Sequence, residues 1–293
     1  MRKLKAVLVA VATLSLVFSA CGKDKSADKN ILSPTAPNLP QKLKDSGTLV
    51  IGSDIEYAPN EFFKDNAPDT PVGMDIDLGN ALAKQLGLKA KFVNDTDFKG
   101  IIGALNSGRF DIIMSSMSDT KERQQSVDFI DYFTAGNSII VQKGNPKNIK
   151  SLDDLCGQTI AVQKGTTQET DVLPPQITKC AGLNKPLNVL SFDHDTDALT
   201  QVKLGRAVAN LEDSPVAGYN AKVSGGGKDF EVAGESFGAG PYGIAVPKNS
   251  SALLTLLQTA LHKLISNGTY DSIMTKWGIA DGVLKSAAIN GGS

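Results

Sequence analysis

The chain has 293 residues, 41% hydrophobic and 21% charged, with 28 Gly, 13 Pro and 3 Cys. That composition excludes disorder, collagen and a disulfide-dense miniprotein and leaves room for two domains. Thirty Lys and Arg against 31 Asp and Glu give no basic field for nucleic acid, and two histidines, His194 and His262, leave little material for a histidine-rich metal site or a Ser-His-Asp constellation. No nucleic acid, metal or cofactor is expected as a partner.

Residues 1–20 open with Arg2, Lys3 and Lys5 and continue as an apolar run from Ala6 to Val17, the proportions of a secretory signal and too short to span a bilayer comfortably. Ser19-Ala20-Cys21-Gly22 resembles the lipobox of bacterial lipoproteins, in which Cys21 would be acylated (palmitate) and become the new N-terminus. Loss of the leader leaves 27 basic against 31 acidic residues, a net charge of −4. Residues 21–44, rich in Lys, Asp, Ser and Pro, read as a flexible tether. The folded part is therefore expected outside the cell membrane or in the periplasm, held by lipid. In that oxidising compartment Cys156 and Cys180 can pair as a disulfide, with two buried free thiols as the alternative.

Gly47–Gly52 reads as a short buried strand, and Asp75–Leu86 carries apolar residues at helical spacing up to Gly87. A strand at 91–93, a helix through Ile101 and Leu105, and a strand at Phe110–Met114 repeat the pattern. Beyond Gly136 come strands at Ser138–Val141 and Thr159–Val162, a helix opening near Thr166, a strand at Asn188–Phe192, a helix at Thr196–Leu204 and a strand at Ala207–Leu211. Gly238-Ala239-Gly240-Pro241 breaks the rhythm before a strand at Tyr242–Val246 and two amphipathic helices, Ser251–Ile265 and Thr269–Trp277. Such alternation predicts an α/β fold of two lobes, 45–135 with 241–293 and an inserted 136–240, joined by two strands and enclosing a cleft.

Three stretches follow strand ends, where ligands of α/β sheets collect. In Ser115-Ser116-Met117-Ser118-Asp119-Thr120-Lys121-Glu122-Arg123, Thr120 caps a predicted helix whose first turn carries cations, an unfavourable placement beside a positive helix end. A bound carboxylate gripped by Ser118, backbone N–H groups and Arg123 would compensate; solvated cations on a cap are the alternative. In Gln163-Lys164-Gly165-Thr166-Thr167-Gln168-Glu169, Thr166 and Glu169 have capping-box spacing, yet a backbone nest at Gly165 would also hold a small anion. Asp213 is either the N-cap of a helix through Val216 and Tyr219 or the partner of an ammonium. Tyr57 stands where a ring can cover a ligand side chain.

These stretches, with Gly52-Ser53-Asp54, Val72-Gly73-Met74-Asp75-Ile76-Asp77-Leu78, Gly108-Arg109-Phe110-Asp111, Tyr242-Gly243-Ile244-Ala245-Val246 and Lys276-Trp277-Gly278, resemble the family 3 extracellular solute-binding proteins, the amino-acid receptors of ABC importers, over 45–280. The resemblance implies a periplasmic-binding-protein-like type II fold, and a monomer that closes two lobes on a free amino acid and delivers it to permease subunits. It also implies a carboxylate site of Arg123, Ser118 and Thr167, an ammonium site of Ser116 and Asp213, and Tyr57 stacked on the side chain. The family's usual aromatic after Pro59 is replaced here by Asn60-Glu61. Positions resembling its side-chain pocket hold Asp54, Gln163, Gln168 and Glu212, polar or acidic without a cation, which favours a cationic ligand such as arginine, lysine or ornithine, then glutamine. Two other classes stay open on the same resemblance: a cyclohexadienyl dehydratase-like enzyme with Glu212 as general acid, and a sensor that presents its ligand to another protein.

Overall fold

The computed structural model describes residues 38–64 and 66–293. The leader, Cys21 and the tether up to residue 37 lie outside the described residues. The expected tether ends sooner than residue 44. Leu39 and Leu43 are buried in the core, and α1 (Gln41–Ser46) stops at Gly47, whose φ of 61° suits a left-handed helix end.

After β1 (Thr48–Ser53) the chain forms a small antiparallel sheet of β2 (Glu56–Tyr57), β3 (Glu61–Lys64) and β4 (Ala67–Val72). The sequence reading missed this sheet because its prolines and charges mask any alternation. Then come α2 (Met74–Gln85), β5 (Lys89–Asn94), α3 (Ile101–Asn106) and β6 (Ile112–Ile113). They are followed by β7 (Val127–Gln142), β8 (Thr159–Gln163), α4 (Leu173–Gly182), β9 (Asn188–Phe192), α5 (Asp195–Lys203) and β10 (Ala209–Asp213). The last elements are α6 (Ser214–Val223), β11 (Phe230–Pro247), α7 (Ser251–Ser266) and α8 (Thr269–Trp277). No helix of the described residues is long and apolar enough to cross a membrane.

One eight-stranded sheet runs in the order β5-β1-β6-β11-β7-β10-β8-β9. The mixed α/β architecture is that of a periplasmic-binding-protein-like type II fold, two α/β lobes linked by long strands with a cleft between them. The links are β7, 16 residues, and β11, 18 residues, paired antiparallel from Phe230 opposite Gln142 to Pro247 opposite Val127. The expected separate strands at Ser138–Val141 and Tyr242–Val246 are thus parts of longer ones. The Gly238–Pro241 stretch does not end a strand; register shifts between Ala233 and Phe237, between Phe237 and Gly240 and between Tyr242 and Gly243 absorb it. Such irregularities bend a strand while preserving its ladder on either side.

Period-two alternation explains why each lobe has two core layers. Ile112, Ile130 and Ile244 pack with α2, α7 and α8, whereas their chain neighbours Ile113, Phe129 and Ala245 pack with Ile101 and Leu105 on the other face. In the second lobe Ile139, Val141, Ile160 and Val162 face Leu173 and Cys180, while Ile140 and Ala161 face Ala198 and Val202. Cys156 and Cys180 are joined as a disulfide that ties the loop before β8 to α4.

Candidate functional site

The parallel strands β1, β6, β8 and β10 end at the cleft, so the residues just beyond them share one cavity. It is lined by Asp54, Tyr57, Ser116, Ser118, Arg123, Gln163, Thr167, Gln168 and Asp213, together with Glu61, Phe98, Ser115 and Thr166, which the sequence reading did not nominate. Glu212 is the expected site residue that the cavity does not include. Neighbours on a strand face opposite sides, so with Asp213 turned to the cleft Glu212 turns away. It is wholly buried, accepting hydrogen bonds from Asn210 at 2.9 Å and Asn220 at 3.0 Å.

One pole is built around Arg123. The expected helix after Thr120 is only a three-residue 3-10 turn, Arg123–Gln125, entered by a bond from the Arg123 N–H to the Thr120 hydroxyl, so no long helix dipole acts here. The guanidinium instead donates to the carbonyls of Ser118 and Gly165, both at 2.9 Å, and lies 5.6 Å from the Phe98 ring centroid. Burial lowers its pKa from the ordinary value. Gly165 belongs to the opposite lobe, and its φ of +75° together with a close approach to the Lys99 backbone excludes a side chain there. The Thr166–Glu169 capping box forms only in part: the Glu169 N–H donates to Thr166, but the Glu169 carboxylate accepts from Gly165, one residue earlier. Thr167 precedes a π-helical turn, Gln168–Val172, that leads into α4.

A second pole is Asp213. It occupies the N-cap position of α6 yet makes no side-chain cap bond. Its carboxylate accepts from Gln168 and from the Tyr242 hydroxyl, each at 2.7 Å, while its N–H donates to the Tyr57 hydroxyl at 2.8 Å. Burial pushes its pKa up to about 6.

The remaining wall is acidic. Asp54 accepts from Gln163 at 2.7 Å across the cleft, and burial with the nearby Glu56 charge raises its pKa to about 7. Glu61 accepts from Ser115 at 3.2 Å and Ser116 at 3.0 Å; burial and Asp75 push it well above the usual carboxylate range. Ser116 is held at a left-handed φ of 49° by its N–H bond to Asp75, which also accepts from Tyr132. A strained non-glycine residue at a strand end marks geometry that the surrounding network enforces. Gly73, with φ +138° and the Asn60 carbonyl where a Cβ would stand, lets α2 begin beside this network and so places Asp75. The sequence signal for Glu61 is the Asn60-Glu61 replacement itself, which puts an acid where the family usually has an aromatic.

Raised carboxyl pKa values make stability fall with rising pH. Protonated Asp213 and Asp54 fold without a desolvated charge, so that advantage is complete below the unfolded value near 4 and disappears as pH passes about 6 and 7 respectively. The expected result is a ligand-free melting temperature that declines from about pH 4.5 to pH 8, followed by circular dichroism. A flat or rising profile would mean that these carboxyl groups ionise without penalty.

The chain matches the family model of the bacterial extracellular solute-binding proteins, family 3, over residues 49–280. It is 35% identical over 253 residues to the arginine-binding protein ArgT of Corynebacterium glutamicum, covering 86% of this chain and 81% of that one. An ancestral arginine-binding protein solved with arginine superposes with a TM-score of 0.72 at 41% identity, covering 79% of this chain and 98% of that one. The ancestral amino acid-binding protein AncCDT-1, a precursor of cyclohexadienyl dehydratase, gives a TM-score of 0.71 at 39% identity, covering 80% and 97%.

Proposed function

Because the chain belongs to the bacterial extracellular solute-binding proteins of family 3, we propose that it is the amino-acid receptor of an ABC importer, and that its ligand is a cationic amino acid: arginine first, then lysine or ornithine. The observation that carries this reading is the acidic lining of one cavity. Three carboxyl groups, Asp54, Glu61 and Asp213, line it against one guanidinium, Arg123, and a cation beside them favours their ionised forms. A zwitterion with a positive side chain brings a carboxylate for Arg123 and two cations for the acids. Glutamate would bring a further buried anion, at a cost of several kcal/mol without a proton or counter-ion. The arginine-binding relatives support the same choice.

In this reading the ligand carboxylate docks on Arg123, Ser118 and Thr167, and its ammonium on Asp213, with Ser116 nearby. Its side chain extends past Tyr57 and Phe98 to Asp54 and Glu61, with Gln163 and Gln168 completing the wall. Lobes 45–135 with 241–293 and 136–240 approach one another by bending β7 and β11, and a ligand contacting both favours closure. The closed, loaded monomer is the form a permease receives. The leader 1–20 and Cys21 fit export and lipid anchoring outside the cell membrane. An enzyme reading gains nothing from Glu212, which faces away from the cavity.

Calorimetric titration of arginine, lysine, ornithine, glutamine and glutamate at neutral pH tests this. The expected order is arginine tightest and glutamate weakest, with arginine and glutamate separated by about a hundredfold or more, as a cost of several kcal/mol requires. Glutamate binding as tightly as arginine would end the assignment.

A further inference from the structure

Outside the ligand cavity's main poles, the described residues bring one nitrogen and two carboxylate ligands together at the cleft mouth. We propose that Asp54, Glu56 and His194 form a binding site for a divalent transition-metal ion, zinc foremost, that clips the two lobes together. This goes beyond the receptor reading; it shares Asp54 with the proposed ligand pocket, so its test is made with amino acids absent.

One ligand atom from each of the three residues lies within 4.8 Å of the others. Asp54 and Glu56 come from the end of β1 and from β2 in one lobe; His194 immediately precedes α5 in the other. The His194 Nδ1 already faces a Glu56 carboxylate oxygen, so the imidazole is turned toward the carboxylates. Outer-shell contacts hold the ligands: Thr196 donates to the second Glu56 oxygen at 3.2 Å, and Gln163 donates to Asp54 Oδ2 at 2.7 Å. Asp54 is 4% exposed and its Oδ1 is buried with no partner among the described residues, so the cluster retains an unused carboxylate oxygen. Side-chain exposures of 33% for His194 and 24% for Glu56 give an ion a way in.

An imidazole nitrogen with two carboxylates suits zinc and its neighbours, leaving a fourth position for water. Magnesium and calcium prefer all-oxygen shells, usually of more ligands. Because the ligands come from both lobes, the complete set exists only when the cleft is closed.

The test is titration of zinc chloride into protein carrying no polyhistidine tag, with amino acids absent. One zinc per chain is expected, with no comparable uptake of magnesium or calcium, and cobalt(II) should give a visible absorption band. His194→Ala and Glu56→Gln should each weaken zinc about tenfold or more, since even outer-shell losses cost 10–100-fold, and His194→Ala should remove the cobalt band. Circular dichroism melts establish that each variant folds, and Glu56→Gln carries the comparison should His194→Ala not fold. No zinc uptake, or equal uptake by the parent and the folded variants, overturns the proposal. Arginine titration in the presence of a chelator tests the receptor reading separately, so the two can fail independently.

Discussion

Replacing Arg123 by alanine is expected to weaken arginine binding by about 2–5 kcal/mol, roughly thirtyfold to several thousandfold. Truncation leaves a ligand carboxylate in the cavity without its charged partner, with only hydroxyl and backbone donors. It also leaves the carbonyls of Ser118 and Gly165 without the guanidinium that now joins them across the cleft, so closure loses a lobe-to-lobe contact as well as a ligand contact. Lysine at this position should recover part of the affinity, because it restores the charge but lacks a fork able to meet both carboxylate oxygens. Calorimetry on the parent, Arg123→Ala and Arg123→Lys checks the series. Near-parental affinity in the alanine variant would remove Arg123 from the centre of the site.

The second large effect belongs to Asp213. Asparagine there keeps the shape and one acceptor but removes the charge opposite the ligand ammonium, so affinity should fall by about 1.5–3 kcal/mol, or roughly ten- to a hundredfold. Stability should move the other way. The Asp213 carboxylate is buried and its pKa is pushed up to about 6, so without a ligand cation its ionised state is penalised at pH 8. Asp213→Asn should therefore melt no lower than the parent at pH 8 while binding arginine worse. A variant that loses stability and affinity together would indicate that Asp213 holds the fold through Tyr242 and Gln168 rather than serving the ligand.

The lobes were legible in the sequence where local pattern and tertiary demand agree. Asn188–Phe192 and Thr269–Trp277 begin and end as expected because each is bounded by clear breaks: Pro186 before one, and Gly268 and Gly278 around the other. The link between lobes was less legible. Gly238–Pro241 has the composition of a turn, yet the ladder to β7 continues beyond it, because register shifts are a tertiary accommodation that composition does not reveal. The helix expected after Thr120 failed for a related reason. Its capping residue is real, but the segment turns into the long strand β7 after one 3-10 turn.

At the site, strand-end position pointed to the Ser116 stretch and Asp213, and the family resemblance added Asp54 and Gln163; all four line one cavity. The resemblance overreached by one residue at Glu212, since matching a family position does not by itself state which face of the strand a side chain takes. Glu61 lies on β3 of the small sheet and Phe98 between β5 and α3, and their meeting at the cleft is a long-range arrangement with no local signature.

The most direct test of the account is a crystal structure grown with arginine. The expected result is an α-carboxylate within about 3 Å of the Arg123 guanidinium, the ammonium against Asp213 and the ligand guanidinium between Asp54 and Glu61, with both lobes in contact. An ordered arginine held the other way round, or an Arg123 side chain turned out into solvent, would contradict it.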